Sequence, residues 1–216
     1  MPSDEDENEG WRQRWAEGRT GWHRDEVHPT LARHFDRAWR RVLVPLCGAT
    51  VDLDWIAEQR AEVIGFDLSE LAVQQVFERR GTSPELTVIE PFTRFSGDGI
   101  TLFVGDIFAA TPGLFGPVDA VWDRAALVAI DPARRAHYAK LLRTLARGAD
   151  LLLEVFEYPP EVMEGPPHAV PDAFVRAAYD DVTLLDEAVM DPELRPAAAV
   201  AAAEQPFVRR AYRGKL

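Results

Sequence analysis

The chain has a single cysteine, Cys47, among its 216 residues, so it cannot form an intramolecular disulfide. No apolar run approaches the roughly 18 residues of a membrane-spanning helix, and the acidic N-terminal segment lacks the basic start of a signal peptide. Basic residues are scarce, because 24 lysines and arginines stand against 36 aspartates and glutamates, a net charge of −12. These absences predict a cytoplasmic protein that binds neither nucleic acid nor a membrane.

Motifs of several enzyme classes are missing as well. The chain has no G-x-S-x-G nucleophile elbow and no phosphate-binding P-loop. Its five histidines show no metal-ligand spacing, so we expect no metal site. The G-x-G-x-x-G dinucleotide pattern is incomplete, since Leu46 and Val51 stand where further glycines would help to hold a pyrophosphate.

Apolar segments that alternate with helical patterns predict an α/β protein with a doubly wound, mostly parallel sheet of seven strands. Five parallel strands are predicted at residues 41–46, 62–66, 100–104, 118–122 and 149–156, and an antiparallel pair at 182–189 and 207–212. We predict helices at 31–39, 52–60, 70–80, 132–147 and 172–179, and a connection at 82–99. Residues 1–10 are predicted to be a disordered acidic leader and 11–216 a single domain.

Glycine or polar residues follow the first four predicted strands: Gly48, Asp67, Asp106 and the pair Asp123-Arg124. Because the carboxyl ends of parallel strands meet at one edge of a sheet, we expect these residues to lie together. Gly48 and Asp67 are 19 residues apart, near the separation of a nucleoside-binding turn from the acid that binds the ribose. The alternative is an ordinary β-α-β unit whose acid caps the next helix.

Each of these residues has an expected role in a nucleoside site. Asp67 would accept hydrogen bonds from the ribose hydroxyls, and Asp106 with Ile107 would flank the adenine. Arg124 would hold a carboxylate or an anionic substrate. Taken singly, each acid has the alternative role of a surface residue or a helix cap.

Three tryptophans, Trp11, Trp15 and Trp22, precede the first predicted strand. Trp11 and Trp15 are four positions apart, so a helix places them on one face. Two interpretations stay open: a lid helix that seals the edge of the sheet, or rings that cover a bound ligand.

A nucleoside site without a triad or a metal suits a reaction in which the cofactor carries the reactive group. Methyl transfer from a sulfonium is such a reaction, because alignment for in-line attack supplies much of the acceleration. Tryptophan faces also attract a sulfonium by cation–π interaction. Cys47 is expected to be a small packing residue rather than a nucleophile.

Six segments resemble, in order and spacing, the thiopurine S-methyltransferase family over residues 11–171. They are Trp11-x-x-x-Trp15, Gly18-x-x-Gly21-Trp22-His23, Val44-Pro45-Leu46-Cys47-Gly48, Val63-Ile64-Gly65-Phe66-Asp67-Leu68-Ser69-Glu70, Trp122-Asp123-Arg124-x-Ala126-Leu127-Val128-Ala129-Ile130 and Gly165-Pro166-Pro167. The resemblance implies a class I S-adenosylmethionine-dependent methyltransferase with a Rossmann-like fold and an N-terminal aromatic lid helix. It also implies a thiopurine or related thiol as the methyl acceptor.

Site residues are carried over by position. The resemblance implies cofactor contacts at Trp11, Trp15, Leu46, Asp67, Ile107 and Arg124, to which the residue pattern adds Gly48 and Asp106. It implies that Trp22 faces the substrate and that Arg195 acts beside Arg124 in catalysis. Family members usually carry Glu at the position of Asp67, and the match fades past residue 180. Relatives also methylate halide, thiol, selenium or tellurium acceptors.

We therefore expect a monomer that methylates a soft small-molecule anion, such as a thiolate or selenolate, without a general base. Three alternatives differ in class. A nicotinamide-dependent oxidoreductase would need the glycine triplet, and Tyr138-x-Lys140 has the wrong spacing for a Tyr-x-x-x-Lys pair. A base-modifying nucleic-acid methyltransferase would need a Pro-Pro-Tyr motif after the fourth strand. A binding module that keeps the cofactor without catalysis is the third.

Overall fold

The computed structural model describes residues 4–202 and 204–216, which divide into two units, one up to Gly116 and one over Pro117–Leu216. The predicted single domain over residues 11–216 stays a prediction. No helix among the described residues is long and apolar enough to cross a membrane.

The first unit contains the turn and the acids of the predicted nucleoside site. Its helices are α1 (Asp4–Ala16), α2 (Pro29–His34), α3 (Asp52–Glu58) and α4 (Glu70–Arg80). Its strands are β1 (Arg41–Val44), β2 (Glu62–Asp67), β3 (Glu85–Ile89), β4 (Phe92–Gly97) and β5 (Ile100–Val104), in the order β3-β4-β5-β2-β1. Strands β1, β2 and β5 are mutually parallel, so their carboxyl ends share one edge. Short 3₁₀ helices follow at Ile107–Ala109 and Pro112–Leu114.

The second unit carries the predicted arginines. It contains strands β6 (Ala120–Arg124), β7 (Asp150–Glu157), β8 (Asp180–Val189) and β9 (Val208–Lys215), and helices α5 (Arg135–Leu145) and α6 (Asp172–Ala178). The strand order is β6-β7-β9-β8, in which β6 and β7 are parallel and β9 pairs antiparallel with both neighbours. Short 3₁₀ helices lie at Pro192–Leu194 and Ala197–Ala202. The antiparallel late pair is therefore confirmed.

Buried apolar strands explain why the sheet forms where the sequence predicts it. Every residue of β2 after Glu62 is buried, and five consecutive residues of β7 are buried, as expected for strands covered on both faces. In the first unit, the rings of Phe66 and Phe103 stack at 5.0 Å between centroids, so adjacent strands share one aromatic core.

The prediction of seven strands is wrong, because the described residues form nine. Residues 82–99, predicted as a connection, contain the antiparallel hairpin of β3 and β4. Leu86 and Val88 of β3 are 59% and 69% exposed, so this edge strand has no buried face that its apolar residues could indicate. Asp98 and Gly99, between β4 and β5, have φ of 48° and 80°, as in a two-residue Asp-Gly hairpin turn.

The observed helix boundaries agree with the prediction for α4 and differ from it for α2 and α5. Ser69 Oγ accepts from Ala72 N and Gly81 ends α4 with φ of 64°, so this helix spans residues 70–80 as predicted. Helix α3 begins after Val51, which makes no side-chain cap, although Thr50 Oγ1 accepts from Asp52 N at 3.3 Å. Helix α2 ends at His34 and α5 begins only at Arg135, so both are shorter than predicted.

The predicted disordered leader overlaps α1. Residues 4–10 lie within this helix, while residues 1–3 lie outside the described residues. Asn8 Nδ2 donates to Asp106 Oδ2 at 3.0 Å, a contact 98 positions away in the sequence. A tertiary contact, which composition cannot indicate, therefore anchors the start of the helix.

Candidate functional site

The turn after β1 has an unusual backbone. Leu46 and Gly48 have φ of 45° and 53°, the left-handed region that costs a non-glycine residue roughly 1–2 kcal/mol. The Cys47 amide, between them, donates to Phe66 O of the neighbouring strand at 2.8 Å. The turn is thus held in a strained form by the sheet, a feature that clusters at functional sites.

Cys47 has the environment of a packing residue. Its side chain is buried, and its Sγ packs so closely on Gly65 that a Cβ there would lie 2.9 Å from it. Burial, followed by the charge of Asp67, raises the pKa of the thiol well above its usual range. A thiol held protonated is a poor nucleophile, which agrees with the role expected from the sequence.

Asp67 connects the turn to helix α4. Its Oδ2 accepts from Gly48 N at 2.7 Å and its Oδ1 accepts from Ser69 N at 2.8 Å. Burial raises the pKa of this carboxyl to about 6, although the backbone donors partly offset the effect. Ser69 is the residue that caps α4, so Asp67 holds the cap residue and does not itself cap the helix. The backbone of Leu68 is a third donor to the carboxylate, which has about four acceptor positions, so about one stays available for a ribose hydroxyl.

The segment after β5 lies at the same edge. Gly105 N donates to Asp67 O at 2.9 Å, and Ile107 is 4% exposed. Asp106 Oδ1 accepts from Phe108 N at 2.9 Å, while its Oδ2 accepts from Asn8 of α1. The structure thus brings together three predicted strand ends. Both oxygens of the Asp106 carboxylate accept hydrogen bonds from the protein, one from the short 3₁₀ helix and one from α1.

An aromatic cluster formed by Trp11, Trp15, Trp22 and His23 lies against the Gly48 turn. Ring centroids are 5.3 Å apart for Trp11–Trp22, 6.0 Å for Trp15–Trp22 and 4.8 Å for Trp15–His23. Ala49 N donates to His23 Nε2 at 3.3 Å. Helix α1 therefore contacts the site twice, through Asn8 at Asp106 and through this cluster at the turn.

Sequence reasoning did not assign Asn8 or His23 to the site. Their hydrogen-bond partners are 98 and 26 positions away, and His23 was quoted only as the last residue of the Gly18-x-x-Gly21-Trp22-His23 motif. The only signal was the place of His23 directly after Trp22 in a segment rich in tryptophan and glycine.

Gly48→Ala is expected to disturb the aromatic cluster as well as the turn. A Cβ at Gly48 would lie 2.8 Å from His23 Nε2 and 3.0 Å from Trp15 Cζ2. Gly81→Ala is the matched control, because Gly81 also has positive φ but has no atom within 4 Å of the added Cβ. We expect Gly81→Ala to lower the free energy of unfolding by about 1 kcal/mol and Gly48→Ala by more. Urea unfolding and the tryptophan emission maximum measure both effects; equal losses and unchanged emission would contradict the close approach.

In the second unit, Arg124 ends β6 and is partly exposed. The preceding residue, Asp123, is fully buried, and its carboxylate accepts from Leu127 N at 3.0 Å and from the Tyr138 hydroxyl at 2.9 Å. Burial raises the pKa of Asp123 to about 6. Asp123 thus anchors the loop that begins at Arg124, with Ala125 at φ of 63°.

The raised pKa of Asp123 predicts a loss of stability with rising pH. Folding favours the protonated carboxyl, and the free energy of unfolding that this adds is fully present below pH 3.8 and is lost as pH rises through about 6. Between pH 4.5 and 7.5 the wild type should lose about 2 kcal/mol of its free energy of unfolding relative to Asp123→Asn, which does not titrate at this position. Tyr138→Phe should enlarge it, because the hydroxyl stabilises the ionised form. Urea unfolding at both pH values measures the difference; parallel curves for all three proteins would refute it.

Two segments of the resemblance meet in the second unit. His168 N, which follows Gly165-Pro166-Pro167, donates to Val128 O at 2.6 Å. The Tyr158 hydroxyl donates to Pro167 O. The proline-rich loop is therefore fixed to the segment after Arg124.

Arg195, predicted to be catalytic, makes contacts that organise its own loop. It is 8% exposed, and its Nε donates to Met190 O at 3.0 Å. Its Nη1 donates to Gln205 O at 2.9 Å and to Ala202 O at 3.4 Å. The guanidinium thus bonds to main-chain carbonyls, and a direct role in catalysis stays a prediction.

The geometry of the first unit fits an adenosyl group. The remaining acceptor position of Asp67 suits a ribose hydroxyl, buried Ile107 suits a flat apolar ring, and the indole faces suit a cationic sulfur. Over residues 4–202 and 204–216, no group of three or more His, Cys, Asp or Glu side chains is placed to hold a metal ion.

Comparisons with known proteins agree with the resemblance. The profile of the family described as Thiopurine S-methyltransferase matches residues 6–208. The Thiopurine S-methyltransferase of Pseudomonas paraeruginosa is 45% identical over 174 residues, which cover 78% of this chain and 80% of the relative. That of Xanthobacter autotrophicus is 44% identical over 174 residues and is covered to 82%.

Among solved structures, the chain is similar to the 1,6-didemethyltoxoflavin-N1-methyltransferase of Burkholderia thailandensis, crystallised with bound 1,6-didemethyltoxoflavin and S-adenosylhomocysteine. The TM-score is 0.61 at 19% identity, over 96% of this chain and 86% of that one. A likeness at this identity concerns the fold, and it confirms the predicted class I methyltransferase architecture. With the match to the family profile and the curated relatives, it shows that the chain belongs to the thiopurine S-methyltransferase family.

Proposed function

We propose that the chain binds S-adenosylmethionine in its first unit and transfers the methyl group to the sulfur of a thiopurine or a related thiol. The observation that carries the proposal is the Asp67 carboxylate, bonded to Gly48 N beneath the aromatic cluster. The named activity of the relatives supplies the acceptor class.

Binding and orientation are assigned to four side chains and one turn. Asp67, with a pKa of about 6, is ionised at neutral pH and accepts a hydrogen bond from a ribose hydroxyl. Ile107 covers one face of the adenine, and the Leu46–Gly48 turn brings main chain close to the rest of the ligand. Trp11 and Trp15 exclude water from it.

The bound cofactor supplies a methyl group on a cationic sulfur, a strong electrophile. Arg124 is proposed to stabilise the anionic form of the acceptor, so that a thiol with a pKa near neutrality needs no general base. Trp22, which contacts Trp11 and Trp15, is proposed to stack on the acceptor ring. Arg195 is proposed to support this acceptor side through the loop that it organises.

The remaining expectations are proposals too. With a single, buried cysteine the fold does not depend on a disulfide, so it needs no oxidising compartment. We propose that the protein is cytoplasmic, that it is a monomer and that its substrates are small molecules.

A panel of acceptors with radiolabelled S-adenosylmethionine tests the proposal. We expect label transfer to 6-mercaptopurine at a higher kcat/KM than to selenite, tellurite or iodide. Transfer to a thiopurine should disappear on heat denaturation and should be inhibited by S-adenosylhomocysteine. Label transfer only to iodide or tellurite would refute the thiol acceptor and would identify a halide or tellurium acceptor instead. Tighter binding of NADH than of S-adenosylmethionine would instead favour the oxidoreductase.

A further inference from the structure

Arg135 is a buried cation that lacks part of its hydrogen bonding. It is the first residue of α5 and is only 5% exposed. Its Nε and Nη2 atoms are buried and have no hydrogen-bond partner among the described residues. Buried guanidinium groups are normally paired, because removing a charge from water without compensation is costly.

The groups around Arg135 are engaged elsewhere. Asp131 and Tyr158 are the titratable residues whose charges act on it, and within the described chain neither forms an ion pair with it. Asp131 Oδ1 accepts from Ala133 N at 2.7 Å, and the Tyr158 hydroxyl donates to Pro167 O. Burial lowers the pKa of Arg135, and the two neighbours offset this only in part. Asp131 therefore acts on the guanidinium only through its charge, and no carboxylate is hydrogen-bonded to the Nε and Nη2 atoms of Arg135 within the described residues.

The position of Arg135 in the fold is one where ligands bind. Helix α5 has 11 residues and follows β6, so its N-terminus lies at the carboxyl-end edge of the parallel strands β6 and β7. A helix N-terminus carries a partial positive charge that also favours an anion. The same connecting segment begins at Arg124, the residue proposed to stabilise the acceptor.

We propose that Arg135 binds a carboxylate carried by the methyl acceptor, so that the preferred substrates are aromatic thiols with an acidic group. The inference rests on the proposed function and refines its substrate class. A planar carboxylate matches the unpaired guanidinium nitrogens, since arginine and carboxylate form two parallel hydrogen bonds. In this arrangement Arg124 stabilises the anionic sulfur of the acceptor, and Arg135 binds the carboxylate of the same molecule.

Two acceptors of equal shape test the proposal: 4-mercaptobenzoate and its neutral amide, 4-mercaptobenzamide. The wild-type chain should favour the benzoate in kcat/KM and in calorimetric binding. Arg135→Met should lower kcat/KM for the benzoate at least tenfold more than for the amide, through KM. The ratio between proteins cancels the difference in thiol acidity of the two acceptors. Lys140→Met, on the exposed face of the same helix, controls for net charge and should leave the ratio unchanged.

Stability gives an independent readout. Removing an unpaired buried charge should leave the urea midpoint of Arg135→Met equal to or above that of the wild type without acceptor. A markedly lower midpoint would show that Arg135 is a structural residue and would overturn the proposal. An equal benzoate-to-amide ratio in both proteins, or no binding of the benzoate to the wild type, would overturn it too. If the benzoate binds through Arg135 but neither thiol is methylated, the proposed S-methyl transfer fails and the carboxylate site stands.

Discussion

Replacing Asp67 by alanine is expected to weaken the binding of S-adenosylmethionine at least a hundredfold. A hydrogen bond from the ribose to an ionised carboxylate contributes about 1.5–3 kcal/mol, and it is lost with the side chain. The backbone N–H groups of Gly48 and Ser69 lose their acceptor as well, so the turn that faces the ligand is released. Calorimetric titration of wild type and variant with the cofactor measures the change in Kd.

Two variants separate ligand binding from helix capping. Asp67→Glu keeps a carboxylate with a longer reach, and it should retain binding within about tenfold. Ser69→Ala removes the side-chain cap of α4 but leaves Asp67, and it should cost about 1 kcal/mol of stability with little change in Kd. An Asp67→Ala chain that still binds the cofactor within threefold of wild type would refute the assigned contact.

The same carboxyl predicts the pH dependence of binding. Because burial raises the pKa of Asp67 to about 6, the group is ionised at pH 7.5 and largely protonated at pH 5. Cofactor affinity should therefore be constant above about pH 7 and should fall, by at most tenfold per pH unit, below about pH 6.

Arg124→Ala is expected to reduce kcat/KM for the thiol by a factor of about 10² to 10³, the range typical of a lost charge-stabilising donor. Cys47→Ala should change it less than about threefold, because the buried thiol is held protonated and only packs against Gly65. Steady-state kinetics with one thiopurine at saturating cofactor compares the two variants directly.

Arg124→Lys is the matched control for charge. It retains the cation without the planar fork and should recover part of the rate lost in Arg124→Ala. The loss in Arg124→Ala should also shrink as the pH rises above the pKa of the thiol, since the acceptor then ionises unaided. Equal effects of the Arg124→Ala and Cys47→Ala changes would contradict the roles assigned to both residues.

The parallel part of the fold was predictable because its strands are continuous apolar runs. Strands β1 and β2 are buried at every residue but the first, and β7 at five consecutive residues, which leaves a strong apolar signal in the sequence. The hairpin of β3 and β4 was not predictable. Leu86 and Val88 of β3 are exposed, and the buried Phe92 and Phe95 of β4 are three positions apart, which is not the two-residue period of a strand. Edge strands without alternating burial resemble loops in a single sequence.

The site was predictable where its contacts are local or follow from topology. Gly48 and Asp67 were found by their spacing, and a 2.7 Å hydrogen bond joins them. The contact of Asn8 in α1 with Asp106 was not predicted, because the two residues are 98 positions apart and meet only through the tertiary fold. Asp123 was one of four features expected at the strand ends, yet it is fully buried and anchors a loop.

The central claim is that the edge formed by the Gly48 turn, Asp67 and the aromatic cluster holds an adenosyl cofactor. Calorimetric titration of the wild-type chain with S-adenosylmethionine at pH 7.5 tests it most directly. The account predicts saturable binding of one cofactor per chain, which Asp67→Ala weakens at least a hundredfold and Asp67→Glu retains within about tenfold. No heat of binding in the wild type, or unchanged binding in Asp67→Ala, would contradict it.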